Sequence, residues 1–193
     1  MKMTRGEKRM VNRSQRSERL FPIQDAMLEH VDFGEVGRAL DFGCGAGHLT
    51  ARLAEKYDIE VTGVDVDPAQ IETAVELYGD RKNLRFAVVG ETSVALPDDT
   101  FDLITVFLVV HHSPHWRTLL EEMARLLRSG GWLAFHEVSM TGVVSWLFNK
   151  NKLGVYSGSE LWEAVRNAGF DPVWRDADHG LIFPKHTWVL NRF

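Results

Sequence analysis

The sequence predicts an α/β fold in which a doubly wound sheet of seven strands is mostly parallel and ends in an antiparallel hairpin. Three observations carry this. From about residue 37 onward, short apolar runs alternate with helix-compatible stretches, the signature of repeated βαβ units. The first five runs are nearly continuous in apolar character, as in strands covered by helices on both faces. The last two runs have no helix between them, because the stretch from Asp178 to Lys185 carries Gly180 and Pro184, so they pair as a hairpin at the sheet edge.

The elements follow in order. An amphipathic stretch at 18–31, with Phe21, Ile23, Met27, Leu28 and Val31 on its apolar side, predicts a helix ahead of the first strand. Strands are expected at 37–42, 59–65, 84–89, 101–108, 132–138, 170–176 and 186–192. Helices are expected at 47–57, 68–79, 115–128 and 158–168. Asp67-Pro68 supplies an N-cap and a first-turn proline. Ser129-Gly130-Gly131 is expected to stop a helix before a strand, and Ser157 or Ser159 to open the helix that ends at Gly169.

Length and composition bound the function. The 193 residues fit one domain, 1–193, with two decorations: an arm and helix at 1–31, and a stretch at 139–157 that is long for a strand-to-helix connection. Both carry apolar residues, Trp146, Leu147 and Phe148 in the second, and both are candidate covers for a substrate site. With 45% hydrophobic and 25% charged residues and no apolar run near membrane-spanning length, no membrane span is expected. The basic start lacks the apolar core of a secretory signal, so a cytoplasmic location is expected. A single cysteine, Cys44, excludes an internal disulfide, and no metal site is expected from cysteine spacing. Net charge is −5 although residues 1–19 hold seven Lys/Arg against two Glu, and nothing beyond that arm resembles a nucleic-acid footprint.

The stretch "ALDFGCGAGHLT" carries the chemistry. Gly43, Gly45 and Gly47 alternate directly behind the first strand, where doubly wound sheets bind ligands. Glycine there allows positive φ and lets a ligand press on bare backbone, while the following helix directs free N–H groups at an anionic group such as a carboxylate. A dinucleotide fingerprint reads G-x-G-x-x-G, but this loop reads G-C-G-A-G with Asp41 just upstream, an acid suited to an ammonium and unsuited to a pyrophosphate. Asp65 ends the second strand 18 positions after Gly47, close to the interval at which an acid takes ribose hydroxyls. These residues call for a ligand with a ribose, an amine and a carboxylate.

S-adenosylmethionine has those parts, and from about Ala39 to Gly169 the sequence resembles the class I S-adenosylmethionine-dependent methyltransferases. It is most similar to their broad small-molecule group (methyltransferase type 11), which includes quinone-biosynthesis enzymes. "LDFGCGAG" looks like the family's glycine motif and "GVDVDPAQIETA" like its ribose-binding acidic motif. "VGETSVALPDDTFDLITVFLVVHH" resembles the adenine-enclosing segment, and "EEMARLLRSGGWLAFHE" the helix and Gly-Gly turn before strand five. The resemblance implies a Rossmann-like fold, S-adenosyl-L-methionine as cofactor and a small-molecule methyl acceptor. It implies that Asp41 and the backbone of Gly43, Cys44 and Gly45, with Gly47 behind them, hold the methionine end. Asp65 would take the ribose diol and Val66 the adenine face. Gly90-Glu91-Thr92 stand where the family often has Gly-Asp-Ala, which puts Glu91 and Thr92 at the adenine amine, and Phe107 would face the cofactor.

Other side chains invite chemistry. Cys44 reads as a small filler of the loop, since no activating histidine is placed in its motif. His111 and His112 follow strand four at the mouth of the site, with His112 the candidate general base. His136 and Glu137 alternate along strand five, so one of them faces the crevice. Methyl transfer to a small molecule is favoured over methylation of protein or nucleic acid and over cofactor binding without transfer. The acidic net charge opposes nucleic acid as a partner, and where base-amine methyltransferases carry Asn/Asp-Pro-Pro-Tyr/Phe this chain reads VVHHSPH.

Overall fold

In the computed structural model, residues 17–139, 156–178 and 184–193 are described. The strands are β1 Arg38–Phe42, β2 Glu60–Asp65, β3 Leu84–Val88, β4 Phe101–Phe107, β5 Leu127–Val138, β6 Phe170–Asp178 and β7 Lys185–Arg192. The helices are α1 Phe21–Leu28, α2 His48–Tyr57, α3 Pro68–Tyr78, α4 Trp116–Leu126 and α5 Gly158–Asn167. One seven-stranded sheet has the order β3-β2-β1-β4-β5-β7-β6. Strands β1 to β5 are parallel, and β7 inserts antiparallel between β5 and β6.

This order places the site. The chain runs outward from β1 through β2 to β3, then returns to the other side of β1 for β4 and β5. At that reversal the carboxyl ends of β1 and β4 diverge into a crevice. In register, Asp41 lies beside Gly63 on one flank and Thr105 on the other.

Local chemistry explains the helix starts. Asp67 caps α3 by accepting from the Ala69 N–H, and Pro68 supplies the first-turn φ. Ser157 and Glu160 form a reciprocal capping box on α5. Alternation along the strands then divides the core in two. Leu40, Phe42, Ile104, Val106 and Phe135 pack under α4 and α5 with Leu120, Met123 and Leu161. Ala39, Val61, Leu103 and Ala134 pack on the opposite face with Met27, Leu28, Leu49 and Leu53 of α1 and α2.

Two elements differ from the sequence expectation by three residues or more at an end. β5 begins at Leu127 instead of 132, because Ser129-Gly130-Gly131 lies within it: Phe101 pairs with Leu127 but Leu103 pairs with Trp132, and the extra residues loop out at Gly130, with φ of 75°. The glycines interrupt the ladder without ending it. α1 covers only Phe21–Leu28, and its Met27 and Leu28 are buried against the sheet, so this part of the arm belongs to the core. Residues 1–16 and 140–155, with Trp146, Leu147 and Phe148, lie outside the described residues. Among the described residues no helix is long and apolar enough to cross a membrane.

Candidate cofactor and acceptor site

The loop after β1 is shaped by backbone bonds to its neighbour. The N–H groups of Gly43 and Cys44 both donate to the carbonyl of Val64 in β2, at 2.8 and 2.9 Å, and that of Gly45 donates to Asp65 Oδ2 at 3.0 Å. Gly43 has φ of 77°, and a Cβ there would lie 2.4 Å from a Val109 methyl. No other residue fits, and the contact brings the segment after β4 directly against the glycine loop.

Asp41 is 2% exposed. Its Oδ2 accepts from the Thr50 hydroxyl at 2.6 Å and its Oδ1 from the Thr105 hydroxyl at 3.0 Å. Burial raises its pKa to about 6 against the opposing effect of those hydroxyls, and the charge of Asp65 adds to the rise. A carboxylate offers about four lone-pair positions, so two hydroxyls leave capacity for a cationic donor. Asp65 is only half-buried: Oδ1 accepts from the Asp67 N–H at 2.9 Å and Oδ2 from Gly45. Burial raises its pKa too, opposed by those amides. It thus clamps the glycine loop while keeping lone pairs for further donors.

The remaining predicted contacts sort by position. Val66 follows Asp65 with 38% of its surface exposed, as an apolar wall for a flat ring requires. Val89 N–H donates to the Asp65 carbonyl, so Glu91 and Thr92 emerge beside the same edge, Glu91 exposed and Thr92 half-buried. Their loop is pinned where Glu122 accepts from the Val94 N–H at 2.7 Å. Phe107 is 8% exposed and packs in the α1-side core, its ring 6.1 Å from His136, and is the least accessible of the group. Cys44 is a free thiol whose pKa burial pushes well up, with Asp41 and Asp65 adding, so it stays protonated. Gly47 precedes α2 with φ of 79°.

Both strand-five residues are buried. His136 bonds Thr187 of β7 at 2.8 Å, and burial lowers its pKa to about 4, so it is neutral. Glu137, fully buried, turns to the segment after β4. Its Oε2 accepts from Val109 N–H at 2.9 Å and Val110 N–H at 2.6 Å, and its Oε1 lies 2.5 Å from Nδ1 of His111. His112 is exposed, its ring 4.0 Å from that of His111. The sequence did not single out Thr50, Thr105, Val109 or the His111–Glu137 pair, whose partners are far apart in the chain. Among the described residues no group of three or more His, Cys, Asp or Glu is placed to hold a metal ion.

A reversed doubly wound sheet, a glycine loop behind an acid and a second acid closing the next strand define a nucleoside-binding class I methyltransferase fold. Residues 40–135 match the family described as "Methyltransferase domain", and the chain belongs to the class I S-adenosylmethionine-dependent methyltransferases. It is 30% identical to the 27-O-demethylrifamycin SV methyltransferase of Amycolatopsis mediterranei (strain S699) over 81% of this chain and 62% of that protein. It is 33% identical to the 2-methyl-6-phytyl-1,4-hydroquinone methyltransferase of Synechocystis sp. (strain ATCC 27184 / PCC 6803 / Kazusa) over 48% of this chain and 29% of that one. The chain thus spans less than two thirds of the length of either relative. In fold it is similar to a SAM-dependent methyltransferase from Aquifex aeolicus, with a TM-score of 0.74 at 22% identity, covering 98% of this chain and 100% of that one. S-adenosylmethionine is the cofactor, and the residues fit it: Asp41 is a buried acid with no cationic partner among the described residues, and Asp65 is a half-exposed one.

Proposed function

We propose that the chain transfers a methyl group from S-adenosylmethionine to a small-molecule acceptor. The observation that carries this reading is the pairing of Asp41 and Asp65 across one glycine loop, two acids placed for an ammonium and a ribose diol. When bound, the cofactor supplies an electrophilic methyl group on a sulfonium. Asp41 orients the amino-acid end, the amides at the start of α2 face its carboxylate, Asp65 fixes the ribose, and Val66 with Glu91 and Thr92 flanks the adenine. In-line transfer asks the protein mainly for alignment in a dry pocket, which these residues provide by holding the donor against the divergent ends of β1 and β4. The names of the similar proteins support a small organic acceptor, among them 2-methyl-6-phytyl-1,4-hydroquinone and 27-O-demethylrifamycin SV. Net charge of −5 favours that reading over a nucleic-acid substrate.

Calorimetry tests the reading. S-adenosylhomocysteine is expected to bind in the micromolar range, about −8 kcal/mol, and NAD to give no heat. Binding of NAD in preference to S-adenosylhomocysteine overturns it.

A further inference from the structure

Gln70, in the first turn of α3, is fully buried, and among the described residues neither its Nε2 nor its Oε1 has a hydrogen-bond partner. No other described side chain has two buried polar atoms left unpartnered. An amide taken out of water and not paired destabilises the fold that contains it. The neighbouring inward positions of α3 carry Ile71 and Ala74, so an apolar residue would serve the packing better. The amide therefore points to a ligand that supplies both a donor and an acceptor.

The helix sets this side chain beside Asp65 and the glycine loop. The Asp65 carboxylate accepts from the Asp67 N–H at 2.9 Å, and the Asp67 carbonyl accepts from the Gln70 N–H at 3.0 Å, so acid and amide share the first turn of α3. Further along, Ala74 faces the loop: a Cβ on Gly47 would lie 3.1 Å from the Ala74 methyl. Tyr78 then meets His48, and Arg81 reaches the Ala51 carbonyl, so α2 and α3 run side by side in the same sense. Residues four apart share a helix face at a rise of about 6 Å, which puts Gln70 against the loop ahead of Gly47. There the Gly45 N–H donates to Asp65 Oδ2 at 3.0 Å. Helical side chains lean toward the helix N-terminus, and for α3 that end is the crevice. Tyr78 Oη and His48 Nδ1 bond each other at 2.6 Å, two turns away from the amide.

A ribose diol is met better by an acid and an amide than by an acid alone. Each hydroxyl has a hydrogen to give and oxygen lone pairs to be met, and an ionised carboxylate only accepts. Asp65, which already accepts two backbone N–H groups, can take a hydroxyl hydrogen but has nothing to donate to the oxygens. A carboxamide does both. We propose that Gln70 is a second ribose-recognition residue, donating through Nε2 to one hydroxyl oxygen and accepting through Oε1 from the neighbouring hydroxyl, while Asp65 takes the remaining hydrogen. The proposal rests on the placement of the cofactor's ribose at Asp65. Because the folded protein has already withdrawn the amide from water, pairing it with the diol adds to affinity with no further desolvation of that side chain, and the site selects ribose over deoxyribose.

Calorimetry with S-adenosylhomocysteine and its 2′-deoxy and 3′-deoxy analogues tests this on the wild type and on Gln70→Met, an apolar side chain of similar length. Gln70→Met is expected to bind S-adenosylhomocysteine roughly 5- to 50-fold more weakly, from the loss of one or two neutral hydrogen bonds and a ribose hydroxyl left unmet. Its ligand-free form is expected to melt at or above the wild-type temperature, because a desolvated amide is gone. Deleting a ribose hydroxyl from the ligand is expected to weaken binding at least about threefold less in the variant than in the wild type, for one analogue or both. In the wild type, the side-chain amide resonances of Gln70 are expected to move on addition of S-adenosylhomocysteine, and unmoved resonances overturn the proposal even where the variant does not fold. Full affinity in Gln70→Met overturns it too, with or without a lower melting temperature, since the amide then serves the fold alone. So does a loss that carries over undiminished to both deoxy analogues. A loss seen with S-adenosylhomocysteine and absent with S-inosylhomocysteine, which lacks the adenine amine, moves the amide to the base edge and overturns the ribose assignment. Wild-type protein that binds no S-adenosylhomocysteine sinks the underlying reading instead.

Discussion

Replacing Asp41 with Asn is expected to stabilise the ligand-free protein and weaken cofactor binding at the same time. The side chain is buried with no cation beside it among the described residues, and its pKa is raised from the ordinary 3.8 to about 6. Because the folded value lies above the unfolded one, the protonated carboxyl stabilises the fold fully below about pH 4, and that contribution is lost as pH rises through about 6. The gap corresponds to roughly 3 kcal/mol, an upper bound, at about 1.4 kcal/mol per unit. An amide carries no charge to desolvate, and Thr50 and Thr105 can each donate to or accept from it by rotating their hydroxyls. Above pH 7 the Asn variant is therefore expected to melt higher, by up to about 6–12 °C for a chain of this size. At pH 4 the difference nearly vanishes. Loss of a charge-assisted bond of about 1.5–3 kcal/mol lowers S-adenosylhomocysteine affinity about 10- to 150-fold. Thermal melts at pH 4 and pH 8 with calorimetry on the same samples are the assay. An Asn variant less stable than wild type at both pH values, or one that keeps full affinity, refutes the argument that Asp41 is a charge waiting for a cation.

Other outcomes follow from the same geometry. Asp65→Ala is expected to lower donor affinity at least tenfold by calorimetry, since it removes the ribose acceptor and releases the Gly45 N–H. Gly43→Ala places a methyl 2.4 Å from Val109 at positive φ, so S-adenosylhomocysteine binding is expected to be lost while circular dichroism shows a folded protein. Met27→Ala removes a fully buried side chain between α1 and the sheet and is expected to cost about 2–5 kcal/mol in urea unfolding, with donor affinity unchanged. Ser157→Ala breaks the α5 capping box and is expected to cost about 0.5–2 kcal/mol in the same assay.

What the sequence revealed was what local chemistry encodes. Apolar runs gave the strands, Asp67-Pro68 gave one helix start and Ser157 or Ser159 another, of which Ser157 is the cap, and the missing helix before Lys185 gave the antiparallel strands. The glycine loop and Asp65 were legible because backbone conformation and strand ends are local properties. β5 was misplaced at its start because a Gly-Gly pair looks the same whether it ends an element or bulges within a strand. The partners of the site's charges were not legible. Asp41 is held by Thr50 nine residues away and Thr105 sixty-four away, and Glu137 holds His111 across 26 residues. Such pairs exist only once β1, β4 and β5 lie side by side, and no spacing in the chain announces them.

Amide hydrogen exchange with and without S-adenosylhomocysteine tests the central claim, that the donor lies at the carboxyl edge between β1, β2 and β4. Slower exchange is predicted in the loop from Gly43 to Gly47, at Asp65 to Asp67 and in the segment from Val109 to His111, where Val109 and Glu137 tie the third region to the first. A ligand that binds yet slows exchange elsewhere, leaving these three segments unchanged, contradicts the account.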